Sequence, residues 1–246
     1  MKLVLLGTTG YHPSNARHTA CMMLPESGVL FDAGTAMFRA RDYLITDEID
    51  VFLSHAHLDH IVGLTFLLDV LYGREMKRVT IHGRPEDLQA IDEHLLAPAL
   101  FPIKLPYEYR PLTTEIPIAS GGTITHFPLK HPGGCVGYRA DWSGRSMAYV
   151  TDVTADASAD YVEKIRGVDL LIHECYFPDH LAELAARTGH SHITPVAEVA
   201  RAAEVGRLVL VHINPLADEY GMPDLAAARE IFPNTEFGED LATIEF

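Results

Sequence analysis

The stretch VFLSHAHLDHIVGL, Val51 to Leu64, sets His55, His57, Asp59 and His60 within six residues directly behind a short apolar run. His55 and His57 stand two residues apart, so in an extended segment both imidazoles leave the same face and can reach one metal ion. Asp59 and His60 follow where the extended run should give way to a helix starting near Ile61. That turn can aim a carboxylate and a further imidazole at a second ion beside the first. Neutral imidazole and carboxylate suit zinc, and manganese or iron as well.

The same pattern recurs along the chain. GVLFDAG reaches Asp32, TITHFPLKH reaches His131, SMAYVTD reaches Asp152, VDLLIHE reaches His173 and Glu174, and RLVLVH reaches His212. With KLVLLG near the start, these apolar, often β-branched runs read as strands, most of them buried. Helical periodicity occupies 61–72, 85–96, 156–165, 178–188, 194–204 and 223–231, with Thr194 read as an N-cap before Pro195. Strands alternating with helices predict a layered α/β domain. In open sheets of that kind ligands gather outside strand ends, so five strands finishing in imidazole or carboxylate predict one convergent site. The Pro-rich piece 97–111 cannot be a regular helix or a central strand and is expected at a sheet edge or in a connection over the surface.

Composition sets the outer bounds. With 48% hydrophobic residues in 246, the chain can bury a sizeable core, and without repeats or an obvious linker it reads as a single domain, 1–246. Its apolar runs fall short of the roughly 20 residues a membrane helix needs, so no membrane partner is expected. Cys21, Cys135 and Cys175 are odd in number and far apart, which suits a reducing, cytoplasmic setting. A formal charge of −15, from 19 basic and 34 acidic residues, argues against a protein that grips nucleic acid by neutralising many phosphates.

HAHLDH matches the H-x-H-x-D-H signature of the metallo-β-lactamase superfamily, and most of the remaining chain resembles its ribonuclease Z-like phosphodiesterase branch. LLGTTGYHPSNARHTACMML resembles that branch's opening, LFDAGT its second-strand motif without the usual following glutamate, and LKHPGGCVGYR its histidine hairpin. YVTDV, LLIHECYF and LVLVHINP are similar to its later strands. The resemblance implies a four-layer αββα sandwich and two divalent metal ions, zinc first. It assigns His55, His57 and His131 to one ion, Asp59, His60 and His212 to the other, and Asp152 to both. A water held between two such cations is acidified and can attack phosphorus in line, with Asp59 able to orient it. Protonation of the leaving alkoxide falls to His190 or His192. Alignment back from the following helix favours His190, while the local HIT resembles a variant that would use His192. Glu174 is then expected to hold the imidazole in its useful tautomer. Asp32 is expected to cap a turn or to hydrogen-bond backbone near the site, and His173 to be either a core residue or a tautomer-fixing one.

The expected substrate is a phosphodiester, in a small molecule or at a nucleic-acid end. Two alternatives stand beside it: hydrolysis of another ester, lactone or sulfate ester on the same metals, and a metal-dependent sensor without turnover. Ribonuclease Z carries an extended arm for transfer RNA between the equivalents of His131 and Asp152, whereas here only 132–151 separates them, enough for a hairpin around DWSGR. Dimers are common in that branch, so a homodimer is a further expectation.

Overall fold

The computed structural model describes residues 1–246, and the chain divides into two compact units: Met1–Gly121 with Asp240–Glu245, and Gly122–Glu239 with Phe246.

The first unit is built on strands β1 (Lys2–Gly7), β2 (Cys21–Leu24), β3 (Val29–Phe31), β4 (Glu48–Phe52), β5 (Arg78–Gly83) and β6 (Glu108–Pro111), followed by the short β7 (Ile116–Pro117). Its helices are α1 (Ala40–Tyr43), α2 (Leu58–Ile61), α3 (Leu67–Leu71) and α4 (Pro85–Ala90). From β2 across β3, β4 and β5 to β6 the ladder passes from antiparallel to parallel, β3 to β6 all running one way. Alternation along β4 sends Ile49, Val51 and Leu53 into a core with Met37, Leu64, Leu67 and Ile81. Asp50 and Phe52 take the other face, where Asp50 accepts from Arg78 and from the His82 ring, and His82 stacks on Phe52.

The second unit comprises β8 (Thr123–Leu129), β9 (Cys135–Trp142), β10 (Arg145–Val150), β11 (Leu170–Glu174), β12 (Leu208–Val211) and β13 (Thr235–Phe237), in the order β13-β12-β11-β10-β9-β8. Its helices are α5 (Tyr161–Lys164), α6 (Ala182–Thr188), α7 (Ile193–Ala202), α8 (Ala217–Tyr220) and α9 (Leu225–Ile231). The chain's last strand, β14 (Thr243–Glu245), returns to the first unit and pairs antiparallel with β1. β10 to β13 are parallel, with Val150 opposite His173 and Glu174 opposite Val211, so the C-terminal ends of β10, β11 and β12 finish level. β9 and β10 form the hairpin expected around DWSGR. Buried Ala148 and Val150 of β10, Leu171 of β11 and Leu208 and Leu210 of β12 pack with Val196, Val199 and Ala200 of α7 in one apolar core.

Several helical expectations shorten. Over 61–72 the chain winds as α2, a tight 3-10 segment and α3, and the tight segment holds Gly63, where a Cβ would strike the Gly34 carbonyl. In 156–165 only Tyr161–Lys164 is α-helical, because Asp156 accepts from the Ser158 amide and hydroxyl and closes a local turn instead. α7 starts at Ile193, so His192 and not Thr194 takes the N-cap place, and Asp179 caps from outside by accepting the Thr194 amide at 3.0 Å. The Pro-rich piece ends in β6, an edge strand beside β5, as expected. No helix is long and apolar enough to cross a membrane.

Candidate metal centre

In the first unit the donors follow β4. The chain leaves the strand at Leu53, turns through buried Ser54 and His55, and starts α2 at Leu58 with His57 in the N-cap place. The His55 ring lies 4.3 Å from that of His57 and 4.4 Å from that of His60, measured between centroids. Asp59 Oδ2 stands 3.3 Å from His60 Nε2. Asp32, at the end of β3 and fully buried, accepts at 2.8 Å from His60 Nδ1 and takes both the amide and hydroxyl of Ser54, at 2.7 and 2.9 Å. A carboxylate facing Nδ1 fixes the proton there and leaves the Nε2 lone pair to act as a ligand. Ser54 Oγ also lies 3.0 Å from His55 Nδ1. The α2 turn is zipped to the chain after β3, since the Ala33 amide donates to the His60 carbonyl and the Gly63 amide to that of Ala33, both at 2.7 Å. A Cβ on Gly34 would run into the Asp59 carbonyl, which explains the glycine in LFDAGT.

In the second unit four strand ends supply side chains. Asp152 follows β10, Glu174 ends β11, His212 follows β12, and His131 follows β8. Asp152 Oδ2 is 3.5 Å from His131 Nε2 and its Oδ1 is 3.3 Å from His212 Nε2, so the two oxygens of one buried carboxylate face two different imidazoles. Asp152, His190 and His212 hold donor atoms within 4.8 Å of one another. His131 Nδ1 donates to the Gly189 carbonyl at 2.9 Å, again presenting Nε2 as a ligand. Burial draws the His131 imidazole below its ordinary pKa, outweighing the pull of Asp152 upward, so the neutral, metal-binding form is favoured.

His190 and His192 are separated by their surroundings. His190 Nδ1 lies 3.1 Å from Glu174 Oε1, and Glu174 is itself fully buried, accepting the Val153 amide at 2.7 Å and the Ser191 amide at 3.1 Å. The His190 ring stacks on that of Tyr176 at 4.8 Å and lies 5.4 Å from that of His212, and the Tyr176 and His212 rings are themselves 5.6 Å apart. His192 instead pairs with Asp179 at 2.5 Å at the start of α7. His173 is a core residue, fully buried, with Nδ1 on the Glu174 carbonyl and Nε2 3.2 Å from the Tyr161 hydroxyl. Ser54 and Tyr176 lie within the VFLSHAHLDHIVGL and LLIHECYF stretches but were not singled out from them, nor was Gly189, which, left-handed at φ +80°, packs so closely on Pro132 that a Cβ would collide.

All these donors are imidazole nitrogens or carboxylate oxygens, and the histidines whose Nδ1 is tied down expose Nε2. That chemistry fits a hard or borderline divalent ion such as zinc, manganese or iron.

The sequence model of the beta-lactamase superfamily domain matches residues 28–213. Ribonuclease BN of Citrobacter koseri is 27% identical over 307 aligned residues, covering 98% of this chain and 99% of that protein. Ribonuclease Z of Archaeoglobus fulgidus is likewise 27% identical, covering 99% of this chain and 97% of its own. Among solved structures, a metallo-beta-lactamase fold protein from Bacillus subtilis superposes with a TM-score of 0.81 at 21% identity, over 99% of this chain and 98% of that one. The fold class is therefore the αββα class expected from the sequence.

Proposed function

Because the chain belongs to the metallo-β-lactamase superfamily, we propose that it is a dinuclear metal-dependent phosphodiesterase of the ribonuclease Z kind. In this reading residues 1–246 work as one hydrolase domain. His55, His57 and His131 would hold one divalent ion, Asp59, His60 and His212 a second, and Asp152 would serve both, with zinc the first choice and manganese or iron fitting the same donors. Two such ions would supply Lewis acidity to the phosphodiester oxygens and lower the pKa of an attacking water. Asp59, steadied by the Tyr11 amide at 2.7 Å, orients that water. His190 gives its Nε2 proton to the leaving alkoxide, while Glu174 holds Nδ1 and stabilises the imidazolium before transfer.

The observation that carries the reading is the His190–Glu174 couple. A metal-binding protein without turnover has no use for a buried carboxylate spent on aiming a histidine that stands beside Asp152 and His212. Relatives similar along their whole length bear the name ribonuclease, which supports a phosphodiester over a lactone or sulfate ester. The alignment with the Citrobacter protein spans 307 positions against this chain's 246 residues, so that relative carries segments missing here. Without an arm between His131 and Asp152, and at a charge of −15, the chain can bring little cationic surface to a folded RNA. The substrate is therefore a small or chain-terminal phosphodiester, handled in the cytoplasm, by a homodimer as in much of the branch.

The test compares kcat/KM for bis-p-nitrophenyl phosphate and a cyclic nucleotide with that for precursor transfer RNA at ~150 mM salt, where phosphate contacts are already weakened. Small diesters are expected to be the better substrates. Efficient, salt-resistant processing of the RNA with no turnover of small diesters would overturn the substrate assignment.

A further inference from the structure

Between β1 and β2 the chain makes an excursion, 8–19, buried at its base and mostly exposed over 11–16, that is tied down at both ends and at its tip. Asp240, from the segment preceding β14, accepts from the Thr8 amide at 3.0 Å, the Thr8 hydroxyl at 2.7 Å, the His18 amide at 2.8 Å and the Arg39 guanidinium at 2.5 Å. The Thr9 amide closes the base by donating to the His18 carbonyl. At the tip, the Tyr11 amide donates to Asp59 Oδ2 at 2.7 Å. Tyr11 is therefore held directly on a metal-type carboxylate through its own backbone, and it adopts φ +61°, left-handed and unfavourable for a bulky side chain. The residue is nonetheless 74% exposed, and its ring meets the His12 ring edge-on, 5.3 Å between centroids at 60°.

An exposed tyrosine means little alone. Here the backbone that carries the ring is anchored on Asp59 in a left-handed conformation, and the ring itself is left open to solvent, so an aromatic face is available to a ligand held at that carboxylate. We infer that Tyr11 is a specificity residue, stacking on the nucleobase of a substrate whose phosphodiester is cleaved at the adjoining centre. The inference rests on the phosphodiesterase reading above and narrows its substrate class to nucleotides. Stacking is indifferent to which base is present, because every base has a π-face.

The experiment uses two esters with one leaving group, thymidine 5′-(p-nitrophenyl phosphate) and methyl p-nitrophenyl phosphate, on the metal-loaded parent, Tyr11→Ala and Tyr11→Phe. Binding of thymidine 5′-monophosphate and of inorganic phosphate is measured alongside by calorimetry. Tyr11→Ala is expected to lower the nucleoside-to-methyl ratio of kcat/KM about ten-fold, mainly through KM for the nucleoside ester, the size one base on one aromatic face provides. The same variant should weaken the nucleotide about ten-fold relative to phosphate, and Tyr11→Phe should keep both ratios at parent level. An unchanged ratio in Tyr11→Ala, or a Phe variant as impaired as the Ala one, overturns the stacking role. If the parent cleaves neither ester while Tyr11→Ala still loses nucleotide binding, the hydrolase reading falls and the platform stands. If the parent binds no nucleotide and cleaves neither ester, both fall.

Discussion

Asp32, Asp152 and His212 all carry left-handed backbone, at φ +57°, +45° and +56°. Each lies at or just beyond the end of a strand, where the chain must turn sharply to throw a polar side chain outward, and aspartate and histidine tolerate that region better than most residues. The cost is about 1 kcal/mol or more apiece, sustained by the packed strands beneath. The candidate donors were legible in two steps: the HAHLDH spacing pointed to His55, His57, Asp59 and His60, and the resemblance to the family added His131, Asp152 and His212. Their conformations and their supporting residues, Ser54 and Tyr176, were not, since these act through contacts distant along the chain. The choice between His190 and His192 likewise depended on where Glu174 and Asp179 fall. His190→Ala is expected to lower kcat on an alkyl phosphodiester by ~10²-fold with metal content retained, and by much less on p-nitrophenyl esters, whose leaving group scarcely needs a proton. His192→Ala should stay within a few-fold on both. The reverse ranking, read by steady-state kinetics, would transfer the acid role to His192.

At the level of elements, β1, β3, β4, β8, β10, β11 and β12 were readable as short apolar runs, while β5, β13 and β14 were not. β5 hides its burial because Thr80 and His82 on one face are polar, the latter engaged by Asp50, so the buried segment does not read as a continuous apolar run. β14 is only three residues with one buried position, and its place is set by pairing with β1. The joint between β3 and α2 is tight, because the Gly34 backbone lies against the Asp59 carbonyl. Gly34→Ala should therefore destabilise by about 1–3 kcal/mol through overpacking and weaken metal binding by displacing Asp59. Gly73→Ala, where a Cβ meets open space but φ is +76°, should cost about 1 kcal/mol from backbone strain and leave metal affinity at parent level. Denaturant melts with metal titrations would contradict this packing account if the two variants behaved alike.

At the scale of the whole molecule, the acidic balance and the cluster of metal-type donors belong together. Divalent cations held there would offset negative charge locally and create an anion-binding point on a chain whose net charge of −15 would otherwise repel phosphate. The class of fold was legible from the order of strand-end motifs, whereas the roles of Asp240 and β14 in closing the first unit were not, because the C-terminal segment folds back on β1 from the far end of the chain. The central claim, hydrolysis of a phosphodiester by a centre of two ions, is tested most directly by following bis-p-nitrophenyl phosphate turnover while chelator-stripped protein is titrated with zinc, and with manganese in parallel. Turnover is predicted to rise until about two equivalents per chain are bound, as seven donors of this kind require. Saturation at a single equivalent, or no turnover with either metal, would contradict it.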